Sequence, residues 1–148
     1  MNNEWFECKV KYQKTMETGL LKPVIEAYMV EALSFTEAEK RFIEEMTPFF
    51  SGEFTVTDIK RAKLSELFES QNAAADRWFS ARIAYITLDE KSGQEKRSAQ
   101  RVLIQATDFR DALANLDRCM EGTLGDWVIE NITETKIMDV FRYVKKED

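Results

Sequence analysis

The sequence predicts an α+β fold of two tandem β-β-α-β repeats that pack with pseudo-twofold symmetry, each with an antiparallel-rich sheet and one helix. The first observation is a repeat: the segment from Trp5 to Tyr12 recurs half a chain later as the segment from Trp78 to Tyr85. The second is that apolar and polar residues alternate in both copies, which is typical of half-buried strands. The third is that one capped, amphipathic helix follows each copy.

The repeat determines the expected domain organisation. A length of 148 residues suits one compact domain. We expect repeat one at residues 4–68, a linker at 69–77, repeat two at 77–141 and a charged tail at 142–148. Mutual burial of the two halves explains such a duplication without any ligand, and two equivalent binding sites are the alternative.

Repeat one is predicted to contain three strands. Alternating residues indicate strands at 4–14 and 23–31, joined by a hairpin connection that contains Gly19. A third strand is predicted to start near Phe54 and to extend irregularly toward Phe68.

The first predicted helix begins at a capping box formed by Ser34 and Glu37, and it extends to about Met46. The second is capped by Asp108 and extends to Met120. The residues expected on the buried stripes are Phe35, Ala38, Phe42 and Met46 in the first helix, and Phe109, Ala112, Leu113 and Leu116 in the second.

Repeat two follows the same plan. Its strands are predicted at residues 77–88, 95–106 and 126–141, with a turn at 89–93. Gly122 occupies the position of a helix C-terminal cap.

A right-handed crossover would put the third strand of each repeat beside the first, in the order 2-1-3. Phe6 and Phe79 then face the helices, while Trp5 and Trp78 face the opposite side of their sheets. In repeat two this opposite side is too apolar to be left in water. The first repeat is the simplest cover for it, and a second protomer is the next.

Composition limits the possible functions. The chain has a net charge of −6, no histidine, 44% hydrophobic residues and 32% charged residues. An acidic chain disfavours a dedicated duplex-DNA binder, and the absence of histidine excludes His-based acid–base catalysis and His metal ligation. There is no catalytic motif, metal-ligand spacing or phosphate loop, so we expect no enzymatic activity and no cofactor.

The sequence also indicates a location. No apolar run reaches membrane-spanning length, and the N-terminus has no signal-peptide pattern, so we expect a cytoplasmic protein without a membrane partner. Cys8 and Cys119 are expected to be reduced and buried, and a disulfide bond between them is the alternative.

The tryptophans allow two interpretations. An open sheet face with Trp and nearby cations can stack the bases of a single-stranded nucleic acid. The residues that would form such a binding surface are Trp5, Lys9, Lys11, Arg61, Lys63, Trp78 and Arg82. Alternatively, both tryptophans fill the seam between the halves.

Several positions are polar in both halves. They are the pairs Lys22 and Lys96, Glu53 and Asp126, Lys63 and Lys136, and Glu66 and Asp139. Exposed cross-strand ion pairs explain them, and duplicated ligand contacts are the alternative.

Three segments carry a family resemblance: Trp5 to Tyr12, Ser34 to Glu39, and Gly52 to Lys60. Together with Ile132 to Val140, they resemble an uncharacterised domain-of-unknown-function family of Bacteroides-type gut bacteria and their phages and mobile elements. The resemblance covers nearly the whole chain and implies an accessory role in phage or mobile-element biology, but it implies no ligand or catalytic residue.

Two functions are expected from these features. The first is a non-enzymatic module of phage or mobile-element origin that binds another protein, or a second copy of itself as a homodimer. The alternative is a single-strand nucleic-acid binder that uses an open sheet face.

Overall fold

The computed structural model describes residues 3–143, and this part of the chain has the predicted α+β composition of eight strands and two helices. The strands form two mixed four-stranded sheets. The chain divides into two compact units. One unit consists of two segments, one that ends at Ala62 and one that begins at Lys136. The other unit is the continuous segment Lys63–Thr135.

The elements follow one another with short connections. Their bounds are β1 Glu4–Thr15, β2 Leu21–Ala32, α1 Phe35–Met46, β3 Phe54–Ala62, β4 Glu66–Phe68, β5 Arg77–Leu88, β6 Glu95–Ala106, α2 Phe109–Met120, β7 Asp126–Glu134 and β8 Ile137–Phe141. A short 3₁₀ helix, Thr47–Phe49, follows α1.

The first sheet has the strand order β3-β1-β2-β8. β1 is antiparallel to both β2 and β3, and Phe6 lies opposite Val30 on β2. This arrangement confirms the predicted order 2-1-3 for the first three strands. Pro23 lies in the half of β2 that β8 does not reach, where its missing N–H removes no ladder bond to β8.

Helix α1 covers one face of this sheet. The Glu37 N–H donates to Ser34 Oγ over 3.1 Å, which confirms the predicted cap. The Glu37 carboxylate accepts the N–H of Leu33 at 2.9 Å, one residue before the cap. Below the helix, a buried cluster contains Phe6, Cys8, Val10, Val30, Ala32, Ala38, Phe42 and Met46.

The second sheet has the order β4-β6-β5-β7, so its hairpin and third strand again follow 2-1-3. Asp108 caps α2 by accepting the N–H of Asp111 at 2.8 Å. The buried cluster under α2 contains Phe79, Ala81, Ile83, Val102, Ile104, Ala106, Ala112, Leu116 and Met120. The common order of the two sheets is compatible with the tandem repeat.

The last strand of each predicted repeat lies in the other sheet. β4 follows β3 in sequence but pairs in parallel with β6, and β8 follows β7 but pairs in parallel with β2. The prediction that each third strand continues to Phe68 or Phe141 is therefore wrong. Both segments are apolar, but a burial pattern does not say which sheet buries them.

A matching hydrogen bond follows each of these short strands. The Ser70 N–H donates to Gln105 Oε1 at 3.0 Å in the second unit. The Tyr143 N–H donates to Glu31 Oε1 at 2.8 Å in the first. In each case a side chain near the end of β2 or β6 holds the segment that follows the short strand.

The helix stripes differ from the prediction at three positions. Phe35 is 45% exposed, Phe109 is 53% exposed and Leu113 is 40% exposed, although all three were expected to be buried. Phe35 and Phe109 are the first helical residues, and each ring packs edge-on against one aromatic neighbour, Phe6 or Phe79.

Two further points follow from the bounds. Neither twelve-residue helix has the length and apolar character that a membrane span requires, within residues 3–143. Most of the predicted charged tail, residues 144–148, lies outside the described residues.

Candidate functional site

The face of the second sheet opposite α2 carries a group of arginines. Side chains alternate along a strand, so Arg82 on β5 shares this face with Arg97 and Arg101 on β6. All three are exposed, with 61% of the Arg82 side chain and 52% of the Arg97 side chain open to solvent. We call Arg82, Arg97 and Arg101 the arginine face.

One carboxylate serves two of these guanidinium groups. Arg82 Nε lies 2.9 Å from Glu130 Oε1, and Arg97 Nη1 lies 3.5 Å from Glu130 Oε2. A register shift in the β5–β7 pairing between Arg82 and Ile83 leaves Glu130 as the extra residue of β7. Glu130 thus neutralises one of the two positive charges that it contacts.

Arg101 has a different partner. Its Nε donates to Ser80 Oγ over 2.7 Å, and no carboxylate in the described part of the chain lies within ion-pair distance of it. Arg101 also lies directly opposite Arg82 across the hairpin. Like charges at such a position destabilise a sheet. The three guanidinium groups of the arginine face thus have one carboxylate, Glu130, within ion-pair distance in the described part of the chain, although Glu95 and Asp126 lie on the same side of the sheet by alternation.

The outer edge of β6 beside the arginine face is open. The strand that borders this edge is β4, and β4 pairs only with residues 102–104. The Arg101 carbonyl accepts the Ser65 N–H at 2.9 Å. Residues 95–100 lie beyond the end of β4, and all of them are exposed.

Two cations of the first unit have carboxylate partners. Lys60 Nζ lies 3.3 Å from Glu7 Oε2, and Arg61 Nε lies 3.1 Å from Glu4 Oε2. The Arg61 guanidinium also lies 5.1 Å from the centre of the Phe35 ring. Lys60 and Arg61 are thus held by nearby carboxylates and, for Arg61, by an aromatic ring.

The residues of the predicted binding surface do not share one face. Trp5, Lys9 and Lys11 lie together on one side of the first sheet, while Arg61 lies opposite Phe6 and so shares the helix side. The remaining three, Lys63, Trp78 and Arg82, belong to the second unit.

The two tryptophans of the predicted binding surface, Trp5 and Trp78, are buried, while the third tryptophan of the chain, Trp127, is half-buried. Trp5 is 9% exposed and Trp78 is 3% exposed. The Arg142 guanidinium lies 5.7 Å from the centre of the Trp5 ring. In this structure neither ring offers the free surface on which a base could stack.

Sequence reasoning identified Arg82 but missed Arg97 and Arg101. The predicted strand bounds at Leu88 and Glu95 carried enough information to find Arg101, because counting outward from them along the hairpin pairs Arg101 with Arg82. Arg97 then follows, since it lies four residues from Arg101 and alternation puts it on the same face.

The two thiols and the phenol of Tyr28 have raised pKa values, which disfavours their use as nucleophiles. Both cysteines are free, and Cys119 is exposed, so the prediction that both are buried is wrong for Cys119. Burial raises the pKa of Cys8 from 9.0 to about 12, and partial burial also raises the pKa of Cys119. Partial burial, with the Glu26 carboxylate, raises the pKa of Tyr28 to about 12. Each group stays protonated at neutral pH, whereas a nucleophilic thiol needs a lowered pKa.

A cavity of about 670 Å³ lies between α2, β6 and residues 68–72 of the second unit. Its polar side chains already have hydrogen-bond partners. Asn115 Nδ2 donates to the main-chain carbonyl of Gln105 at 3.2 Å, and Arg118 Nη2 donates to Asn115 Oδ1 at 3.0 Å. The first bond joins α2 to β6, and the second lies within α2. Within residues 3–143, no group of three or more acidic or cysteine side chains could hold a metal ion.

Comparisons with known proteins support a family assignment. No curated protein matches the chain. Residues 4–143 match the family described as a domain of unknown function, DUF4494. Since this match covers nearly the whole chain, the protein belongs to the DUF4494 family.

Proposed function

We propose that this chain is a non-enzymatic module that binds another protein, and that the arginine face contacts carboxylates of the partner. The observation that carries the proposal is an exposed sheet face on which three guanidinium groups have one carboxylate, Glu130, within ion-pair distance. Glu95 and Asp126 share this side of the sheet, but neither forms an ion pair with these arginines, so Arg101 in particular has no carboxylate partner in the described part of the chain. Arginine is also the cation best suited to paired hydrogen bonds with a carboxylate.

A protein partner is favoured over single-stranded nucleic acid. Phosphates would also be attracted to the arginine face, but strand binding without sequence preference usually combines such a groove with exposed aromatic rings. Trp5 and Trp78, the rings proposed for that purpose, are buried. We therefore favour a protein partner, and the binding test below includes an oligonucleotide that would reveal nucleic-acid binding instead.

The test uses a labelled glutamate-rich peptide and fluorescence anisotropy at low salt. We expect the peptide to bind the full chain, to be released as salt rises, and to bind the double variant R97E/R101E at least tenfold more weakly, or roughly 1.4 kcal/mol. Equal binding by the wild type and the variant, or no binding at low salt, would refute the proposal. Tighter binding of an oligothymidine, with quenching of Trp fluorescence, would support the nucleic-acid function instead.

The control variant is K96E. Lys96 is adjacent to Arg97 and is exposed, but its side chain points to the opposite face of β6. The change in net charge is the same as for R97E. We expect K96E to retain most of the peptide binding, which separates a local contact from a long-range effect of charge.

We also propose that the two units descend from one duplicated segment and that the protein serves phage or mobile-element biology in the cytoplasm. The matching sequence segments and the common strand order support the duplication. The family resemblance supports the biological setting.

A further inference from the structure

We infer that a cavity between α1 and β3 binds an arginine side chain that a partner protein presents. The cavity belongs to the first unit and has a volume of about 430 Å³. Its lining residues are Phe35, Thr36 and Glu39 of α1 and residues 56–59 of β3. We call this site the α1–β3 cavity. The arginine face belongs to the second unit, so this inference goes beyond the proposed function and does not rest on it.

One wall of the α1–β3 cavity is apolar. Phe35 is exposed, and Val56 and Ile59 are half-buried with their side chains against the core under α1. An arginine side chain carries methylene groups that can lie along such a surface while its charged end stays in water. β3 is the outermost strand of its sheet, so the cavity opens at the sheet edge, where the main chain that carries the arginine would lie.

A guanidinium group of the chain itself already uses the Phe35 ring. The Arg61 guanidinium lies 5.1 Å from the centre of this ring, and Arg61 Nε lies 3.1 Å from Glu4 Oε2. Arg61 thus combines an aromatic face with a carboxylate, and a planar guanidinium makes both contacts better than an ammonium group does. Phe35 remains 45% exposed beside Arg61, which leaves part of the ring for a second side chain.

The charged lining residues of the cavity are two carboxylates. Glu39 and Asp58 are both exposed, and neither lies within ion-pair distance of a cation within residues 3–143. Capping does not account for Glu39, because Glu37 is the residue that accepts the Leu33 N–H at the start of α1. An incoming arginine would supply the positive group that these carboxylates lack.

The neighbouring cations do not supply it. Lys60 and Arg61 each pair with a carboxylate of β1, at 3.3 Å and 3.1 Å, and Lys40 does not line the cavity. Lys9 is directly opposite Asp58 in the β1–β3 register and is half-buried, but no ion pair joins these two side chains. Of the cations beside the cavity, Lys9 is thus the one outside an ion pair, and a negative excess remains.

The fold of the second unit shows that helix packing does not require the two carboxylates. Each helix has twelve residues and begins with phenylalanine, so Glu39 of α1 corresponds to Leu113 of α2. Asp58 and Asn131 also correspond, because each lies directly opposite the strand residue at which the register shifts. The second unit therefore packs its helix on its sheet with a leucine and an amide at these positions. Recognition of a cation explains the carboxylates of the first unit, whereas helix packing does not.

The experiment titrates the full isotope-labelled chain at low salt and follows its amide chemical shifts by NMR. The probe is a short blocked peptide of serine and alanine with one central arginine. In a matched peptide, the arginine is replaced by citrulline, which has nearly the same shape but no charge. A third titration uses free arginine. We expect the arginine peptide to shift the amides of Glu39 and of residues 56–59, and the citrulline peptide to bind at least about tenfold more weakly.

Two variants test whether the contact lies in the cavity. E39L/D58N gives the first unit the residues that the second unit has at the matching positions, so it should fold, and it should bind the arginine peptide at least about tenfold more weakly. The control, E44Q/E45Q, also removes two carboxylates from the first unit, but Glu44 and Glu45 are exposed and do not line the cavity. We expect the control to bind like the wild type. If E39L/D58N fails to fold, the comparison of the two peptides still decides, because it uses the wild-type chain.

The same measurements give the results that would overturn the inference. Equal binding of the arginine and citrulline peptides, or equal weakening by the two variants, would mean that the cavity does not recognise the guanidinium group. Tighter binding of free arginine than of the peptide would identify a small-molecule site instead of a protein contact. Shifts at the same amides that depend on the concentration of the chain alone would identify a second copy as the occupant. None of these results bears on the arginine face, which is tested with an acidic peptide.

Discussion

Replacing Phe42 with alanine tests whether α1 contributes the core of the first unit. Phe42 is fully buried, and its ring centre lies 5.6 Å from that of Tyr28. A buried Phe-to-Ala change costs about 3–5 kcal/mol, the sum of lost apolar burial and the cavity that remains. Since domains are stable by only about 5–15 kcal/mol, this is a large fraction of the free energy of unfolding.

Phe35 is the matched control on the same helix. It is 45% exposed, packs edge-on against Phe6 at 4.9 Å and lies under the Arg61 guanidinium. The F35A change removes about half of the apolar transfer energy of a buried Phe and one aromatic contact. It should therefore lower the free energy of unfolding by about 1–2 kcal/mol.

Urea unfolding followed by far-UV circular dichroism measures both variants. With a denaturant slope of about 2 kcal/mol per M, F42A should lower the midpoint by about 2 M and F35A by less than about 1 M. Equal destabilisation by the two changes would show that α1 does not pack on the face described, and the reasoning would fail.

Further predictions concern the thiols, the pH dependence and the caps. A thiol reagent at mildly alkaline pH should modify the exposed Cys119 but not the buried Cys8 in the folded chain, and mass spectrometry of labelled peptides showing rapid modification of Cys8 would contradict its burial. Burial raises the pKa of Cys8 from 9.0 to about 12, so the stability that depends on its neutral thiol is complete below pH 9 and is lost as the pH rises toward 12. In thermal melts across this pH range, the C8A variant should therefore lose less stability than the wild type. Equal losses in the two proteins would count against this prediction. Removing either N-cap, by S34A or D108A, should cost about 1 kcal/mol in urea unfolding, because each side chain accepts one helix N–H, and an unchanged midpoint would mean that the cap bond contributes nothing.

The sequence predicted the helices and the first three strands of each half well, because their signals are local. The bounds of α1 coincide with the capping box at Ser34 and the last apolar residue, Met46. Alternation in the segment from Trp5 to Tyr12 correctly assigned Phe6 to the helix side of its sheet. A cap or an alternating strand depends on neighbours within a few residues, and these are visible in one sequence.

Non-local choices could not be predicted in the same way. Nothing in the segment from Glu66 to Phe68 states that it pairs with Val102 rather than continuing β3. The arginine face was partly missed for a related reason, since the contact between Arg97 and Glu130 depends on two different strands and a bulge. Such features depend on tertiary pairing, which local patterns do not encode.

The placement of β8 has a consequence for synthesis of the chain on the ribosome. The second unit is one uninterrupted stretch, Lys63–Thr135, and all of it is translated before Ile137. The first sheet must wait for β8, and the bond from Tyr143 to Glu31 joins residues 112 positions apart. Contacts so distant in sequence form slowly, and they cannot form at all until Tyr143 has been translated. A ribosome that stops before Ile137 would therefore release a chain with all residues of the second unit and with β2 still lacking its last neighbour.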